Sequence, residues 1–392
     1  MKQYDVVISG GAMAGMTLAL ALDTLCHGEL SIAVVESFES DHSRHPGFDS
    51  RSIALSYGSA KQLKQWGLWA AIAPVATSIN HIHVSDRGHA GMTSISREEI
   101  GDQALGYVVE LADVGRIYHQ LVSERPAITL YCPDSVLQLE RSAQHVEIIL
   151  SSGEHIRSRL LVAADGALSS SCDQVGLTLD EHDFDQVAII ANVRAQQPHH
   201  GQAFERFTET GPLALLPMSQ ERLSLVWCVK PDRASELLSL SDRAFLAQLQ
   251  TAFGWRLGQL QQAGQRASYP LILRTRRQTI AHRIAVVGNA AQTLHPIAGQ
   301  GFNLGIRDVA TLAELIAGAP NDPGHYDLLS NYRQRRETDR EQTIALTAGL
   351  VHTFSNDYLA MRIGRNVGLA AMEWAPPVKK PLLQRTLGLV AR

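Results

Sequence analysis

"VVISGGAMAG", residues 6–15, decides the fold. A β-branched run enters two glycines and then a string of small residues, the pattern of a strand, a tight turn and a helix. Helical spacing takes over after Gly15, with Leu18, Leu22 and Leu25 on one face and Gly28 as a stop. A second β-like run, "SIAVVE" (31–36), closes on an acid, Glu36. The succession is a βαβ unit of the kind that holds a dinucleotide. Gly10 permits the turn, and Gly15 lets the helix lie close to the sheet. The helix start, Gly11, Ala12, Met13 and Ala14, offers unpaired N–H groups and a positive dipole end to phosphate. Glu36 can accept hydrogen bonds from ribose hydroxyls. The fingerprint G-x-G-x-x-G asks for glycine at position 12, where this chain has Ala12. One methyl group narrows the approach to a pyrophosphate without closing it. An ordinary structural glycine turn stays open as the alternative.

The totals narrow the class. At ~100–200 residues per domain, 392 residues make two or three lobes. Apolar content of 45% and charge of 19% suit a folded globular chain, and a net charge of −4 gives no basic field for nucleic acid. The four cysteines are far apart with no C-x-x-C pair, which argues against zinc and against a disulfide framework. The sixteen histidines include no H-E-x-x-H, so no metal site is expected. Lys2 followed by an apolar run to "ALAL" imitates a signal peptide. Asp5, the Gly10-Gly11 pair and Asp23 interrupt it, and the folded unit is the better reading. No segment offers the ~20 uncharged apolar residues of a spanning helix. The expected location is the cytoplasm, peripheral contact with the inner membrane being the variant.

Two later stretches extend the pattern. "LLVAADGALSSS" (160–171) is an apolar strand ending in Asp165-Gly166. "IAVVGNAAQTLHPIAGQGFNLGIRD" (284–308) is another strand, a glycine turn and a glycine-punctuated loop entering a helix. Each alone reads equally well as a plain strand and turn. In order, the three stretches resemble the nucleotide fingerprint, the D-G motif and the G-D motif of single-component flavoprotein aromatic hydroxylases. "FDSRSIALS" (48–56), "FERFTETGPLALLPM" (204–218) and "SLVWC" (224–228) are similar to the ubiquinone-biosynthesis branch, nearest its 2-octaprenyl-6-methoxyphenol hydroxylases.

The resemblance implies an α/β fold: a Rossmann-like FAD-binding domain, a β-sheet substrate domain and a helical C-terminal region. It implies FAD as cofactor and NAD(P)H as electron donor. The implied reaction passes one oxygen of O2, by way of a flavin C4a-hydroperoxide, to the ring of a hydrophobic prenylphenol. Other quinone-biosynthesis proteins are implied as partners. The cofactor residues it implies are Gly10, Gly11, Ala12, Met13, Ala14, Gly15, Glu36, Arg51, Asp165, Gly166, Asn289, Pro296, Gly299, Gln300, Gly301 and Asn303. Arg51 would reach the flavin and Asp165 would help organise both nucleotides. Three residues depart from the family pattern: Ala12, Asn289 in place of the usual aspartate, and Gln292 in place of a common histidine.

Only one dinucleotide fingerprint is present, which fits one resident FAD better than a two-domain reductase. The loop Pro296–Gly301 leads into a helix that continues past Leu304 and Leu312. Its N–H groups and dipole end would face the charge that a reduced flavin ring carries, with Pro296, Gly299, Gln300 and Gly301 as the stabilising residues. No residue is required as a general base. His295 is expected to be a packed or capping histidine. "VAIIANV" (187–193), "QAFERF" (202–207), "PLALLPM" (212–218) and "LSLVWCV" (223–229) read as strands of a substrate sheet, and residues 80–95 alternate as if to join it.

The expected organisation is a discontinuous FAD lobe at 1–75, 105–178 and 280–320, a substrate lobe at 76–104 and 179–279, and a helical region at 321–392. "NYRQRRETDREQ" (331–342) reads as a solvated helix face, and "APP" (375–377) as a helix stop. From residue 355 onward six basic residues meet two acidic ones. That tail reads as a helix packed on the FAD lobe, or as a basic amphipathic end touching anionic lipid. Two other functions stay open: a non-catalytic FAD-binding assembly factor, and a flavin halogenase, whose W-x-W-x-I-P motif is missing.

Overall fold

The computed structural model describes residues 1–38, 51–355 and 358–390. Phe48, Asp49 and Ser50 of the "FDSRSIALS" segment, and Asp357 and Arg392 of the tail, lie outside the described residues.

The strand Lys2–Ser9 is the centre of a mostly parallel sheet. It lies between His155–Ala163 and Ile32–Val35, and pairs with both in parallel. Ile284–Val286 extends the sheet beyond the first of these, and Ile128–Tyr131 beyond the second. Parallel strands are covered on both faces, so they are apolar throughout. Val6, Val7 and Ile8 have no exposed surface, nor have Leu160, Leu161 and Val162. The helix Met13–Leu25 follows the first strand and is buried on nearly every side. It packs against the helix Gln300–Gly318. Leu18, Leu22, Val309 and Leu312 share this core. Each such side chain contributes about 1.5–3 kcal/mol by leaving water.

A second, nine-stranded sheet includes Asp180–Ala195, Gln202–Thr208, Gly211–Pro217, Arg222–Val229 and Ala267–Thr275. His81–Asp86 and Met92–Ser96 join its edge. One face carries Phe204, Leu213, Leu225 and Trp227 and is covered by the helices Pro231–Ser239 and Asp242–Phe253. The opposite face looks toward the first lobe. Short strands cross the seam: Thr77–Ile79 pairs with Gly106–Glu110, and Gln292–Thr293 with Ala267–Thr275.

Three helices follow: Tyr326–Phe354, Leu359–Trp374 and Pro376–Thr386. The middle one ends at Trp374, and the next begins with prolines at its first positions. The charged stretch 331–342 is solvated on one side, where Asn331, Arg333, Gln334, Glu337, Thr338, Glu341 and Gln342 are exposed, but not on the other. Tyr332, Arg336, Asp339 and Arg340 are buried beneath the first lobe. Helical spacing explains this, because positions 332, 336, 339, 340 and 343 form one stripe. In the tail, Arg365 pairs with Asp86 at 2.8 Å and the Lys379 amine donates to the Ser94 carbonyl at 2.7 Å. Those two cations serve packing. No helix among the described residues is long and apolar enough to cross a membrane.

Candidate active site

Three strand ends create the site. Ser9 pairs with Ala163, and Ala163 with Val286, in parallel register. The residues that follow, Gly10, Ala164-Asp165 and Val287-Gly288, therefore leave the sheet side by side at its carboxyl edge, where open α/β sheets bind ligands. Gly10 has φ +102°, and a Cβ there would lie 2.8 Å from the Asp165 α-carbon. No side chain fits. A Cβ on Gly288 would lie 2.8 Å from that of Ala14. The fingerprint, D-G and G-D stretches are in contact.

Around this junction the side chains divide into two groups. Glu36, buried at the end of its strand, accepts from Gly11 N at 2.6 Å and from Phe38 N at 2.9 Å. Asp165 accepts from the Ser169 hydroxyl and from Ser171 N at 3.1 Å. Asn289 is exposed at the same edge, and Arg51 is half-buried at the start of Ser52–Ser56. Two residues turn away from the edge. Met13 packs into the main core, so only its backbone faces the turn. Asn303 spends its whole amide on protein. It accepts from Ser56 N at 2.8 Å and the Ser59 hydroxyl at 2.7 Å, and donates to the carbonyls of Ala54 at 2.8 Å and Gly299 at 2.7 Å. It clasps the turn to the strand Ser52–Ser56.

The turn Pro296–Gly301 carries two successive left-handed residues, Ala298 at φ +55° and Gly299 at φ +60°. For alanine that conformation costs about 1 kcal/mol, strain of the kind kept at functional sites. A Cβ on Gly299 would lie 3.4 Å from that of Ala54, whereas one on Gly301 would meet nothing within 4 Å. Gln300 donates to the carbonyls of Ala298 at 2.9 Å and Thr386 at 3.1 Å, while its buried Oε1 has no partner. Close by, Gly58 N donates to the Leu387 carbonyl at 2.8 Å. The C-terminal helix thus touches the turn directly.

These residues fit FAD. The helices Met13–Leu25 and Gln300–Gly318 both start without a side-chain cap and without an acid in the first turn. Among the described residues no capping side chain satisfies their first N–H groups, which lie at the site. The space above Gly301 and the unpaired Gln300 oxygen are the cradle and the orphan that a flat polar ring would fill.

A buried network underlies the turn, and sequence reasoning missed it. Asp308 accepts from Arg336 Nε at 2.8 Å, Gln292 Nε2 at 2.7 Å and Gly288 N at 3.3 Å. Arg336 Nη1 donates to Asp339 at 2.6 Å, and Asp339 also accepts from Arg307 Nε at 2.8 Å. Arg340 Nε donates to Gln292 Oε1 at 2.6 Å. Burial pushes the Asp339 carboxyl up, but Arg336 and Arg307 outweigh it and hold the carboxyl below its ordinary range. Gln292, which departs from the family's histidine, is the neutral link between an aspartate and an arginine. The available signal was the helical spacing of the charges in 331–342.

His295 is the packed histidine expected. Its Nδ1 accepts from Ile297 N at 3.2 Å, and its Nε2 faces Gln186 Oε1 at 2.9 Å. Burial lowers its pKa from 6.5 to about 4. Between those values the unfolded chain binds a proton that the folded one refuses, so stability is intact above pH 6.5 and falls as pH drops toward 4. The loss reaches about 2 kcal/mol by pH 5. His295→Gln, which can make both hydrogen bonds, removes this increment. Unfolding midpoints at pH 7.5 and 5 check it, and equal acid sensitivity of the two proteins rules it out.

The comparisons agree with this geometry. A solved structure, p-nitrophenol 4-monooxygenase PnpA from Pseudomonas putida, superposes with a TM-score of 0.82 over 100% of both chains, at 18% identity. The ubiquinone hydroxylase UbiL of Rhodospirillum rubrum is 35% identical over 99% of this chain and 90% of its own. The 3-demethoxyubiquinol 3-hydroxylase of Escherichia coli is 31% identical over 98% of each. The family model described as FAD binding domain matches residues 3–347. Strand ends, uncapped helices and this match over most of the length lead to one assignment: the chain belongs to the FAD-binding family that includes the ubiquinone hydroxylases.

Proposed function

We propose that the substrate of this FAD-dependent monooxygenase of ubiquinone biosynthesis is a polyprenylated phenol, hydroxylated on its ring with O2 as oxidant and NAD(P)H as reductant. The observation that carries the reading is the pairing of an FAD edge with a largely apolar sheet face, lined by Ala203, Leu216 and Phe207, across from it.

Residues Gly10–Gly15 and Glu36 hold the adenosine half of the cofactor. Asp165, Gly166 and Asn289 lie along its middle, and Pro296–Gly301 back the ring, with Arg51 beside it. When bound, the flavin supplies two-electron chemistry that sends one atom of O2 to the substrate and the other into water. The protein's part is position and field. The uncapped N-terminus of Gln300–Gly318 offers partial positive charge to an anionic ring. Ala203, Leu216 and Phe207 on the facing sheet, with Ile297 and Phe354, keep water from the reacting atoms.

A polyprenyl tail partitions into lipid. The exposed side chains Ile363, Val367 and Trp374 give the C-terminal helices an apolar surface suited to peripheral membrane contact, which co-flotation with vesicles reads directly.

The test is product formation. Purified protein should be yellow with FAD and should transfer one atom of labelled dioxygen to a short-chain prenylphenol in the presence of NAD(P)H. Bound FAD without product, whatever the reductant, would turn the reading to a non-catalytic assembly factor. Quinone-intermediate profiling in a deletion strain names the ring position.

A further inference from the structure

The substrate sheet carries, in Glu205, a carboxyl with no part in holding the flavin. Side chains alternate along Gln202–Thr208. Phe204 and Arg206 turn to the helix-covered face, where Phe204 meets Phe253 at a centroid distance of 5.3 Å and Arg206 Nε donates to the Ala252 carbonyl at 3.0 Å. Ala203, Glu205 and Phe207 turn the other way. Ala203 joins the cluster that includes Ala54 and Leu387. Phe207 joins Ile297 of the flavin turn and stacks on Phe354 at 3.7 Å. Glu205 stands between them on the same face, in the row that holds Val84 and Ala214.

Its surroundings offer it nothing. Val84 and Ala214 lie directly beside it in the sheet, and Val226 follows in the same row. Among the described residues no hydrogen bond or ion pair engages its carboxyl. The side chain is half-buried, and its oxygens are not among the sealed, unpartnered atoms, so they reach open space. The cluster beside it, around Phe207, takes Ile297 from the flavin turn and Val351 and Phe354 from the long helix, none of them titratable. The Cys228 thiol, pushed up by burial, is raised further by the charge of Glu205. A lone carboxyl amid apolar side chains is costly to keep. Burial raises its pKa to about 7.

We propose that Glu205 is the proton acceptor for the substrate's ring hydroxyl, an assignment that rests on the phenol reading above. The hydroxyl O–H bond breaks, its proton passes to a Glu205 oxygen, and the electron pair stays on the ring oxygen. That pair raises electron density at the ring carbon that bonds to the incoming oxygen. The oxygen and the electrons come from O2 and the reductant of the reaction itself. The hydroxylated carbon then sheds its hydrogen as a proton, which leaves with the second oxygen atom in water. The ring oxygen recovers its proton from Glu205, and the carboxylate is reset. A base that titrates near the working pH is the effective kind.

The experiment uses FAD-loaded full-length protein, wild type and the variants Glu205→Gln and Glu205→Leu. With a short-chain prenylphenol, Glu205→Gln should lower kcat about 100-fold and erase a limb of the kcat/KM profile near pH 7. Binding gives a second readout. Wild type should prefer the prenylphenol over its methyl ether by about tenfold, and Glu205→Leu should not discriminate. Both variants should retain FAD and unfold no earlier than wild type. Unchanged turnover with an unchanged pH profile overturns the proposal, and so does early unfolding or loss of FAD in both variants, which would mark a structural role. Wild type that hydroxylates no prenylphenol defeats the substrate reading instead, and the binding preference alone then decides whether Glu205 accepts from the hydroxyl.

Discussion

Asp308→Ala is expected to remove about 3–5 kcal/mol of stability, the usual result of leaving one member of a buried ion pair alone. Asp308 and Arg336 are both 0% exposed, so no water can replace the lost carboxylate. The damage extends beyond the pair. Gln292 Nε2 and Gly288 N lose their acceptor in the same step. Gly288 sits against Ala14, so the fault should reach the nucleotide edge. The expected phenotype is poor soluble yield, a lowered apoprotein melting temperature and weak FAD retention. Adding Arg336→Met should recover part of the loss, because it removes the stranded charge while Asp339 keeps Arg307. Thermal unfolding of the wild type, both single variants and the double variant measures the coupling. Additive effects across that cycle would show that the two charges do not support each other.

Gly301→Leu should do the opposite: leave the fold intact and disable the cofactor site. Gly301 lies in the first turn of Gln300–Gly318 without a positive φ, and an added Cβ meets nothing within 4 Å. The free protein has room for the larger side chain. That room is the space assigned to the flavin ring, and overfilling a fitted site costs about 1–3 kcal/mol. FAD affinity should fall about 10- to 100-fold, with the apoprotein melting temperature unchanged. Flavin fluorescence titration decides the matter. A variant that binds FAD as tightly as wild type would move the ring away from this turn.

The fold was legible where the signal is local. "VVISGGAMAG" declares its strand, turn and helix because a close backbone approach admits only glycine, and sequence order places the other two motifs on the same edge. His295 was legible as a packed residue because the apolar residues around it favour its neutral form. The buried network was not. Asp308 and Arg336 meet across two helices, and a stretch with the composition of 331–342 normally faces water. Its spacing, 332, 336, 339, 340 and 343, was the overlooked clue. Glu205 was missed for a related reason. A single acid in "QAFERF" reads as the solvent side of a strand, yet the solvent side of this sheet is covered by helices, and both faces carry apolar residues. Which face turns to the first lobe is settled by where the helices Pro231–Ser239 and Asp242–Phe253 pack, and no alternation within one strand encodes that. Arg365 and Lys379 looked like part of a basic surface and proved to be bound to Asp86 and Ser94.

The contacts of Thr386 with Gln300 and of Leu387 with Gly58 have a consequence for biogenesis. A nascent polypeptide presents the loop at Gly10–Gly15 early, but the wall proposed to stand behind the ring is incomplete until Thr386 and Leu387 have been added. Coenzyme capture should therefore wait for these two residues, and chains that stop short of them should bind FAD weakly. Truncated translation products should emerge colourless.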